Sequence, residues 1–280
     1  VLNAIYESDF LGFSYGFRPG RSQHQALDAL HVGLNRKKVN WVLDADIKSF
    51  FDTIDHGWMM RFLEHRIADR RLLRLIRKWL TAGVVDNGAR TVSRLGTPQG
   101  AVISPLLANV YLHYVFELWA HRWRQRQTKG DVIVVRYADD SVVGFEGAGD
   151  AQAFLADLRV RLGRFGLSLN EAKTRVLEFG RYAVDRRARR GQRRPETFDF
   201  LGFTHISAKS KQSQRFTVMR LTSAKRIRAT VKAIRTKLMR NRHAAIPETG
   251  AWLRRVVQGY LNYHAVPGNS KRLGMFRAEV

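Results

Sequence analysis

Two adjacent carboxylates, Asp139 and Asp140, interrupt the apolar stretch VIVVRYADDSVVGF, which runs from Val132 to Phe145. The apolar runs on both sides of the pair predict two strands joined by a tight turn. Carboxylates held side by side repel, and one of them is driven toward protonation unless a cation compensates. Mg²⁺ suits that role, because it takes oxygen ligands and binds one or two carboxylates together with substrate phosphates. The stretch therefore predicts a metal site that handles a phosphate-bearing substrate.

A third carboxylate lies in VLDADIKSFFD, within a β-rich segment that predicts a strand at about residues 39–47. Three carboxylates can hold two ions about 4 Å apart, the arrangement used for in-line phosphoryl transfer. Asp44 and Asp46 share one face of this strand, so alternation alone does not choose between them. Ordinary turn chemistry is the alternative reading of the Asp-Asp pair. The flanking strands, the second acidic strand and the charge of the chain favour the metal site.

The predicted elements that must position these side chains run in the order strand, helices, hairpin, helix, strand. This order predicts an α+β fold of the split β-α-β, ferredoxin-like kind, with an antiparallel sheet and helices on one face. Ser22, Asp55 and Ser104 are the predicted N-caps of three of the helices. The uncovered face of such a sheet is free for a ligand.

The net charge of the chain predicts its class of partner. Its 280 residues include 49 Lys plus Arg and 24 Asp plus Glu, a formal net charge of +25. Solubility of a small domain needs a net charge of only about 2 to 8. The excess favours a nucleic acid, because each Lys or Arg displaces condensed counterions from a phosphate backbone. An anionic membrane surface is the less favoured alternative.

The composition also excludes several classes of protein. The sequence contains no cysteine, which excludes disulfide frameworks and thiolate metal sites. It has no apolar run near the roughly 18 residues of a membrane span and no signal-peptide pattern. These features predict a reducing, intracellular compartment. Because the chain begins at Val1 within an amphipathic helical pattern, we expect a fragment that starts inside a domain.

The last third of the chain has a different character. RYAVDRRARRGQRRP, at residues 181–195, is almost all charged and small residues and predicts an exposed basic loop or insertion. Residues 221–280 predict a small basic helical region. Its first helix is amphipathic, and the cations off its apolar face are Lys225, Arg228, Lys232 and Arg235.

Five blocks of the sequence together resemble the reverse transcriptase domain of group II intron-encoded proteins. In the family's order they are SYGFRPGRSQHQAL, DADIKSFFDTIDH, GTPQGAVISPLLANVYLHYVFE, RYADD and GLSLNEAKTRV. The long third block favours this branch over retroviral enzymes. The resemblance implies a polymerase palm with partial fingers in residues 1–205. It implies a partial basic helical thumb or maturase region in residues 206–280, and the family's N-terminal finger blocks are expected to be missing.

The same resemblance implies a set of metal and nucleotide contacts. It favours Asp46 over Asp44, because Phe51 matches the family's ribose-gating position, where a bulky ring would clash with a 2′-hydroxyl. A core phenylalanine is the alternative for Phe51. The implied cofactors are two Mg²⁺ ions, with Mn²⁺ as the alternative. The implied metal ligands are Asp46, Asp139, Asp140 and the carbonyl of Ile47.

Further site residues are implied with less direct chemistry. Gln99 and Gly100 are expected against the incoming nucleotide. Lys173 is expected to neutralise or protonate the leaving pyrophosphate, with an ordinary surface lysine as the alternative. Arg18 and Arg21 are expected to contact the template or the triphosphate. Nucleic-acid contacts are also expected from Lys225, Arg228, Lys232 and Arg235.

The activity implied is RNA-directed DNA synthesis by two-metal transfer of a nucleotide to a primer 3′-hydroxyl, together with a maturase role. The implied partners are an RNA template (intron RNA), a DNA primer or target and dNTP, without a membrane. The implied location is a bacterial cytoplasmic, nucleoid-associated ribonucleoprotein, and the oligomeric state is open, a dimer included. The alternatives are an RNA-binding maturase that needs no polymerase activity, and a diversity-generating or defence-associated reverse transcriptase.

Overall fold

The computed structural model describes residues 1–82, 84–86, 89–91, 95–97, 102–192, 194–210 and 212–280. These residues form two compact units, Val1–Gly180 and Arg181–Val280. The boundary after residue 205 was predicted from family resemblance, and it stays a prediction. Each unit has its own sheet and its own hydrophobic core.

The first unit is a mixed α/β body. Its elements in chain order are α1 (Leu2–Tyr6), α2 (Gln23–Arg36), β1 (Trp41–Ala45), α3 (Phe50–Thr53), α4 (His56–Glu64), α5 (Arg70–Thr81), β2 (Val84–Asp86), β3 (Ala89–Thr91), α6 (Ser104–Leu112), a π-helix (His113–Glu117), α7 (Leu118–Arg126), β4 (Val132–Tyr137), β5 (Asp140–Phe145), α8 (Ala148–Gly163) and β6 (Arg175–Glu178). Four of the strands form an antiparallel sheet in the order β4-β5-β1-β6. The predicted α+β class with an antiparallel sheet is therefore confirmed.

One face of this sheet carries the main core. Leu43 and Ala45 of β1 and Val143 of β5 are buried together with residues of α4, α6 and α8. Alternation along the strands places Val42 and Val142 on the other face, where they are also buried. Within the plane of the sheet, β1 is hydrogen-bonded to β5 on one side and to β6 on the other.

Helix α2 covers part of that other face. A Cβ atom built on Gly33 of α2 would come within 2.9 Å of Ile133 Cδ1 of β4. Ile133 alternates with Val134, which belongs to the main core. The prediction of helices on one face only is therefore wrong at β4. The reason is that β4 is apolar on both faces, as is typical of a strand covered on both sides.

The predicted helix starts are mostly confirmed. Ser22 and Gln25 form a reciprocal capping box at the start of α2, with N–H···O distances of 3.2 and 2.9 Å. The Asp55 carboxylate accepts from a backbone N–H of α4 at 2.7 Å. Ser104 is the first residue of α6 and not its cap, which is Ile103.

The second unit combines a small sheet with helices. Its elements are α9 (Ala183–Arg189), β7 (Phe198–Phe200), β8 (Phe203–Lys209), β9 (Phe216–Thr222), α10 (Ala224–Arg240), α11 (Ile246–His264) and α12 (Ser270–Glu279). The strands form an antiparallel sheet in the order β7-β8-β9. Ile227, Val231 and Ile234 of α10 pack with Tyr260 and Phe276.

Two predictions for this region are wrong. The stretch 181–195 was predicted as a loop but contains α9, because Ala and Arg are strong helix formers. Residues 206–280 were predicted as helical but begin with the rest of β8 and with β9. The buried positions of these strands include His205, Ser207 and Arg220, so the usual alternation of apolar and polar residues is missing. In both units, the helices described are too short or too polar to span a membrane.

Candidate active site

The end of β1 and the β4–β5 turn bring the three predicted carboxylates together. Ala45 pairs with Ser141 in the antiparallel register, so Asp46, the first residue after β1, comes next in line with Asp140. Asp139 lies in the two-residue turn between β4 and β5. The predicted hairpin and the predicted acidic strand thus meet at one end of the sheet's two inner strands.

The charges of these carboxylates act on one another. Burial raises the pKa of Asp139 above its ordinary value, and the charge of Asp46 adds to the rise. Burial, and then the charges of Asp139 and Asp46, raises the pKa of Asp140 to about 6. The positive charge of Lys173 opposes both shifts. Such mutual repulsion is what a bound cation would relieve.

The structure separates Asp46 from Asp44, which the sequence pattern alone does not. Asp44 lies within β1, opposite Val142 and Arg175, and its carboxylate is 4.0 Å from the Arg175 guanidinium. Asp46 lies beyond the last paired residue of β1. Its charge, unlike that of Asp44, contributes to the pKa shifts of the hairpin carboxylates.

Asp46 is fixed by the segment that precedes β6. The Asp46 carbonyl accepts from the Asn170 N–H at 2.8 Å, and the Thr174 hydroxyl lies 3.4 Å from the same carbonyl. The Lys173 ammonium donates to both carboxylate oxygens of Asp46, at 3.2 and 3.3 Å. Lys173 is otherwise exposed, so its cation lies at the open side of the carboxylates.

The donor set fits a hard divalent cation. It consists of carboxylate oxygens, and Mg²⁺ and Mn²⁺ favour such ligands. Over the residues described, no three His, Asp or Glu side chains converge closely enough to hold a single ion. The Lys173 ammonium forms an ion pair with the Asp46 carboxylate. Binding a cation would therefore require Lys173 to release Asp46.

The two phenylalanines after Asp46 differ in environment. Phe50 is buried, at 2% exposure, and packs in the core as expected. Phe51 is half-buried at the edge of the same core, with its ring centroid 5.4 Å from that of Phe50. One side of its ring therefore stays accessible. Phe51 lies on α3, the short helix that follows Asp46 in the chain. Ile47, the other predicted nucleotide contact nearby, is buried and bridges to Leu169.

The remaining predicted contacts of the first unit have mixed outcomes. Gln99 and Gly100 lie outside the described residues. Arg18 is buried, and its guanidinium donates to Glu7 at 2.7 Å and to the carbonyls of Leu11 and Ser14, both at 2.8 Å. The prediction of Arg18 as a nucleic-acid contact is therefore wrong, because its N–H donors are used inside the unit.

Arg21 and the cations of α10 keep their exposure. Arg21 is exposed, with its guanidinium carbon 5.5 Å from the centre of the Tyr15 ring. In the second unit, α10 buries Ile227, Val231 and Ile234 and leaves its basic residues at the surface. The exposed cations of this helix include Lys225, Arg228, Lys232 and Arg235.

Sequence reasoning missed a group of buried polar side chains directly behind the turn. Arg136 and Glu117 are 1% and 0% exposed and form an ion pair. The signal was an arginine inside the apolar run before Asp139, since a charged residue is almost never fully buried without a partner.

Comparison with known proteins shows what the chain is similar to. The sequence profile of the family described as "Reverse transcriptase (RNA-dependent DNA polymerase)" matches residues 1–205. The chain is 42% identical over 113 residues to the "Group II intron-encoded protein LtrA" of Lactococcus lactis subsp. cremoris, covering 40% of this chain and 18% of that protein. It is 33% identical over 232 residues to "Protein YkfC" of Escherichia coli, covering 69% of this chain and 61% of that protein. The chain thus spans less than two thirds of either relative.

A solved structure shares the fold. The apo telomerase of Candida tropicalis, truncated from its C-terminal domain, aligns with a TM-score of 0.54 at 14% identity, over 78% of this chain and 43% of that one. The similarity to group II intron-encoded proteins that the five sequence blocks indicated is confirmed by the LtrA match.

Proposed function

Because the chain belongs to the reverse transcriptase (RNA-dependent DNA polymerase) family, we propose that its carboxylate site synthesises DNA on an RNA template. The reaction is attack of a primer 3′-hydroxyl on the α-phosphorus of a dNTP, which releases pyrophosphate. The observation that carries the proposal is that the end of β1 lies beside the β4–β5 turn, so that the charge of Asp46 acts on Asp139 and Asp140. In this assignment, residues 1–205 are palm and partial fingers, and residues 206–280 are a partial thumb or maturase region.

The residues that would hold two Mg²⁺ ions are Asp46, Asp139, Asp140 and, through its carbonyl, Ile47. When bound, the ions supply a lowered pKa for the attacking hydroxyl and neutralise charge on the leaving pyrophosphate. Mn²⁺ would serve in the same place, because it favours the same ligands.

The protein's own residues then position the reactants. Lys173, released from Asp46, would offer its ammonium to the pyrophosphate, since it lies at the open side of the site. The half-buried ring of Phe51 would exclude a 2′-hydroxyl by steric contact. Gln99 and Gly100 would lie against the nucleotide, and Arg21 against the template or the triphosphate.

The exposed basic face of α10 would bind the backbone of the nucleic acid. Lys225, Arg228, Lys232 and Arg235 recur at spacings of three or four residues, which places them on one side of the helix. Such a row of cations matches a row of phosphates without reading base sequence. The net charge of +25 supports a polyanionic partner of this kind.

Primer extension by the complete gene product that contains this chain tests the proposal. Asp139→Ala should abolish extension of a DNA primer on an RNA template, since the metal ions would lose a carboxylate ligand. RNA affinity should stay near the wild-type value. Asp150→Asn, on the first turn of α8, is the matched control and should extend normally. Extension retained by D139A would end the proposal.

A second function is supported by the similarity to a group II intron-encoded protein and by the basic face of α10. We propose that the protein also binds intron RNA and assists its splicing. A binding role of this kind needs the basic surface and not the carboxylates. Splicing of the cognate intron by D139A should therefore match the wild type, whereas loss of splicing with intact RNA binding would contradict the separation.

A further inference from the structure

Arg136 lies three residues before Asp139 and is fully enclosed behind the turn that carries both hairpin carboxylates. Its Nη1 atom donates to the Ala138 carbonyl at 2.6 Å and to Asn109 Oδ1 at 3.2 Å. Its Nη2 atom donates to Ser14 Oγ at 2.6 Å. One guanidinium thus joins the catalytic turn to two other segments of the unit.

The turn is conformationally unusual. Ala138 has φ of +55°, a left-handed conformation that costs an L-residue roughly 1–2 kcal/mol. Two-residue hairpin turns with positive φ at the first position normally have Gly, Asn or Asp there. The Ala138 carbonyl belongs to the peptide that leads into Asp139, so the bond from Arg136 fixes the orientation of that peptide.

Glu117 holds the other side of the guanidinium. It accepts from Arg136 through Oε1, and its Oε2 is 2.9 Å from His113 Nδ1 and accepts from the Leu11 N–H at 3.2 Å. Burial alone would raise the pKa of Glu117, but the Arg136 charge and hydrogen bonds from His113, Arg136 and Ser14 lower it to about 2. Glu117 is therefore ionised at neutral pH and fully engaged.

Glu117 lies at the end of an irregular helical segment. His113–Glu117 is a π-helix between α6 and α7, and short π-helical turns are frequent at functional sites. His113 and Glu117 both belong to this turn, and both are buried against the polar cluster.

A loop between α1 and α2 completes the enclosure. The Arg136 N–H donates to the Phe13 carbonyl, and the Arg136 carbonyl accepts from the Tyr15 N–H, both at 2.9 Å. A Cβ atom on Gly16 would lie 2.3 Å from Ala138 N, so only glycine permits this approach. Asn109 Nδ2 donates to the Gly16 carbonyl at 2.7 Å. The loop and α6 therefore hold the turn from behind.

We propose that Arg136, anchored by Glu117, is a positioning residue that sets the orientation of the Ala138–Asp139 peptide and with it the two hairpin carboxylates. The proposal rests on the proposed function. A buried Arg–Glu pair is weak support for stability, because apolar side chains of similar volume often replace it at little cost. The bond to the Ala138 carbonyl is the part that an apolar replacement cannot supply.

The double variant Arg136→Met/Glu117→Leu separates positioning from stability. It removes both charges together, so no buried ion is left without a partner. We expect a cooperatively folded protein with RNA affinity within threefold of the wild type. The kcat of primer extension should fall at least a hundredfold, with KM for dNTP within threefold, because misplacement by about 1 Å costs on the order of 10² in rate. Mn²⁺ affinity, measured by electron paramagnetic resonance, should fall at least tenfold.

Arg77→Met/Glu64→Leu is the matched control. It removes an Arg–Glu pair of the same unit whose side chains are exposed, and it should leave every readout within twofold of the wild type. A folded R136M/E117L variant with kcat and Mn²⁺ affinity within threefold of the wild type would overturn the positioning role.

A second variant decides the matter if R136M/E117L does not fold. Arg136→Lys keeps the charge opposite Glu117, but its ammonium has three N–H donors, too few to replace the five bonds that the guanidinium makes to Glu117, Asn109, Ala138 and Ser14. A kcat reduced at least thirtyfold in folded R136K supports the proposal, and a kcat within threefold overturns it. A wild type that extends no primer, with Mn²⁺ affinity still lost in the double variant, would refute the proposed function and retain the positioning role.

Discussion

The turn region of the first unit and helix α10 of the second use cationic side chains in opposite ways. Arg136 and Arg18 are buried, and their N–H groups donate to carbonyls and carboxylates of their own unit. Lys225 and Lys232 on α10 are exposed on a helix whose apolar face forms a separate core. The net charge of +25 therefore combines cations that shape a site with cations that can meet a polyanion. Burial, and not residue type, distinguishes the two.

The largest effect that tests this comparison is on stability. Glu117→Leu alone should lower the free energy of unfolding by about 3–5 kcal/mol, because it leaves the Arg136 charge buried without its partner. Arg136→Met/Glu117→Leu should lose much less. Urea denaturation followed by circular dichroism measures both. Equal losses in the single and double variants would show that the charges are not coupled.

The same pair predicts an acid-dependent difference. The pKa of folded Glu117 is about 2, below its ordinary value of 4.5. The stability that this ionised carboxylate contributes is therefore complete above about pH 4.5 and is lost as the pH falls toward 2. Across that interval, the free energy of unfolding of the wild type should fall relative to that of R136M/E117L. Urea titrations at pH 5.5, 4 and 3 measure the difference. A difference that does not change with pH would contradict the assignment.

The exposed cations should act on binding and not on folding. Lys225→Gln/Lys232→Gln should weaken RNA binding about tenfold and reduce the slope of log Kd against log salt by about 1 to 2, because two phosphate contacts are lost. Fluorescence anisotropy over a salt series measures both values. Arg18→Gln is the contrasting variant, since it also removes a charge, and it should lower stability while leaving the salt slope intact. A reduced slope in R18Q would restore Arg18 as a nucleic-acid contact.

The smallest effect concerns the turn itself. Ala138→Gly should raise the free energy of unfolding by a few tenths to about 1 kcal/mol, since glycine adopts positive φ without strain but adds entropy to the unfolded chain. Thermal unfolding of the two proteins measures the difference. A loss of more than 1 kcal/mol in A138G would mean that Ala138 is not strained in the folded protein.

The sequence predicted the parts of the site whose signals are local. The apolar runs around Asp139 and Asp140 predict the hairpin directly, and the β-rich run around Asp46 predicts its neighbour strand. The choice of Asp46 over Asp44 as a metal ligand needed family resemblance and stays a prediction, although the register of β1 against β5 brings Asp46 and not Asp44 to the strand end beside the turn. The roles of Phe51 and Lys173 stay predictions, although both residues lie beside Asp46 in the chain or in space.

The features that sequence reasoning missed depend on burial between distant segments. Arginine is a residue type that often contacts nucleic acid, but the partners of Arg18, Glu7 and the Ser14 carbonyl, are identified only from the folded loop. Glu117 and Arg136 are 19 residues apart, and the irregular π-helix that carries Glu117 leaves no periodic signal. In the second unit, the polar inward positions of β8 and β9 conceal the strands.

The position of divalent ions in the protein tests the convergence of the three carboxylates most directly. Crystals of the complete protein with an RNA template, a DNA primer, dNTP and Mn²⁺ would locate the ions by anomalous scattering. We predict Mn²⁺ peaks within about 2.5 Å of oxygens from Asp46, Asp139 and Asp140, with the Lys173 ammonium moved away from Asp46. Well-ordered substrates with no peak at these oxygens, or with Asp46 still held by Lys173, would contradict the proposed site.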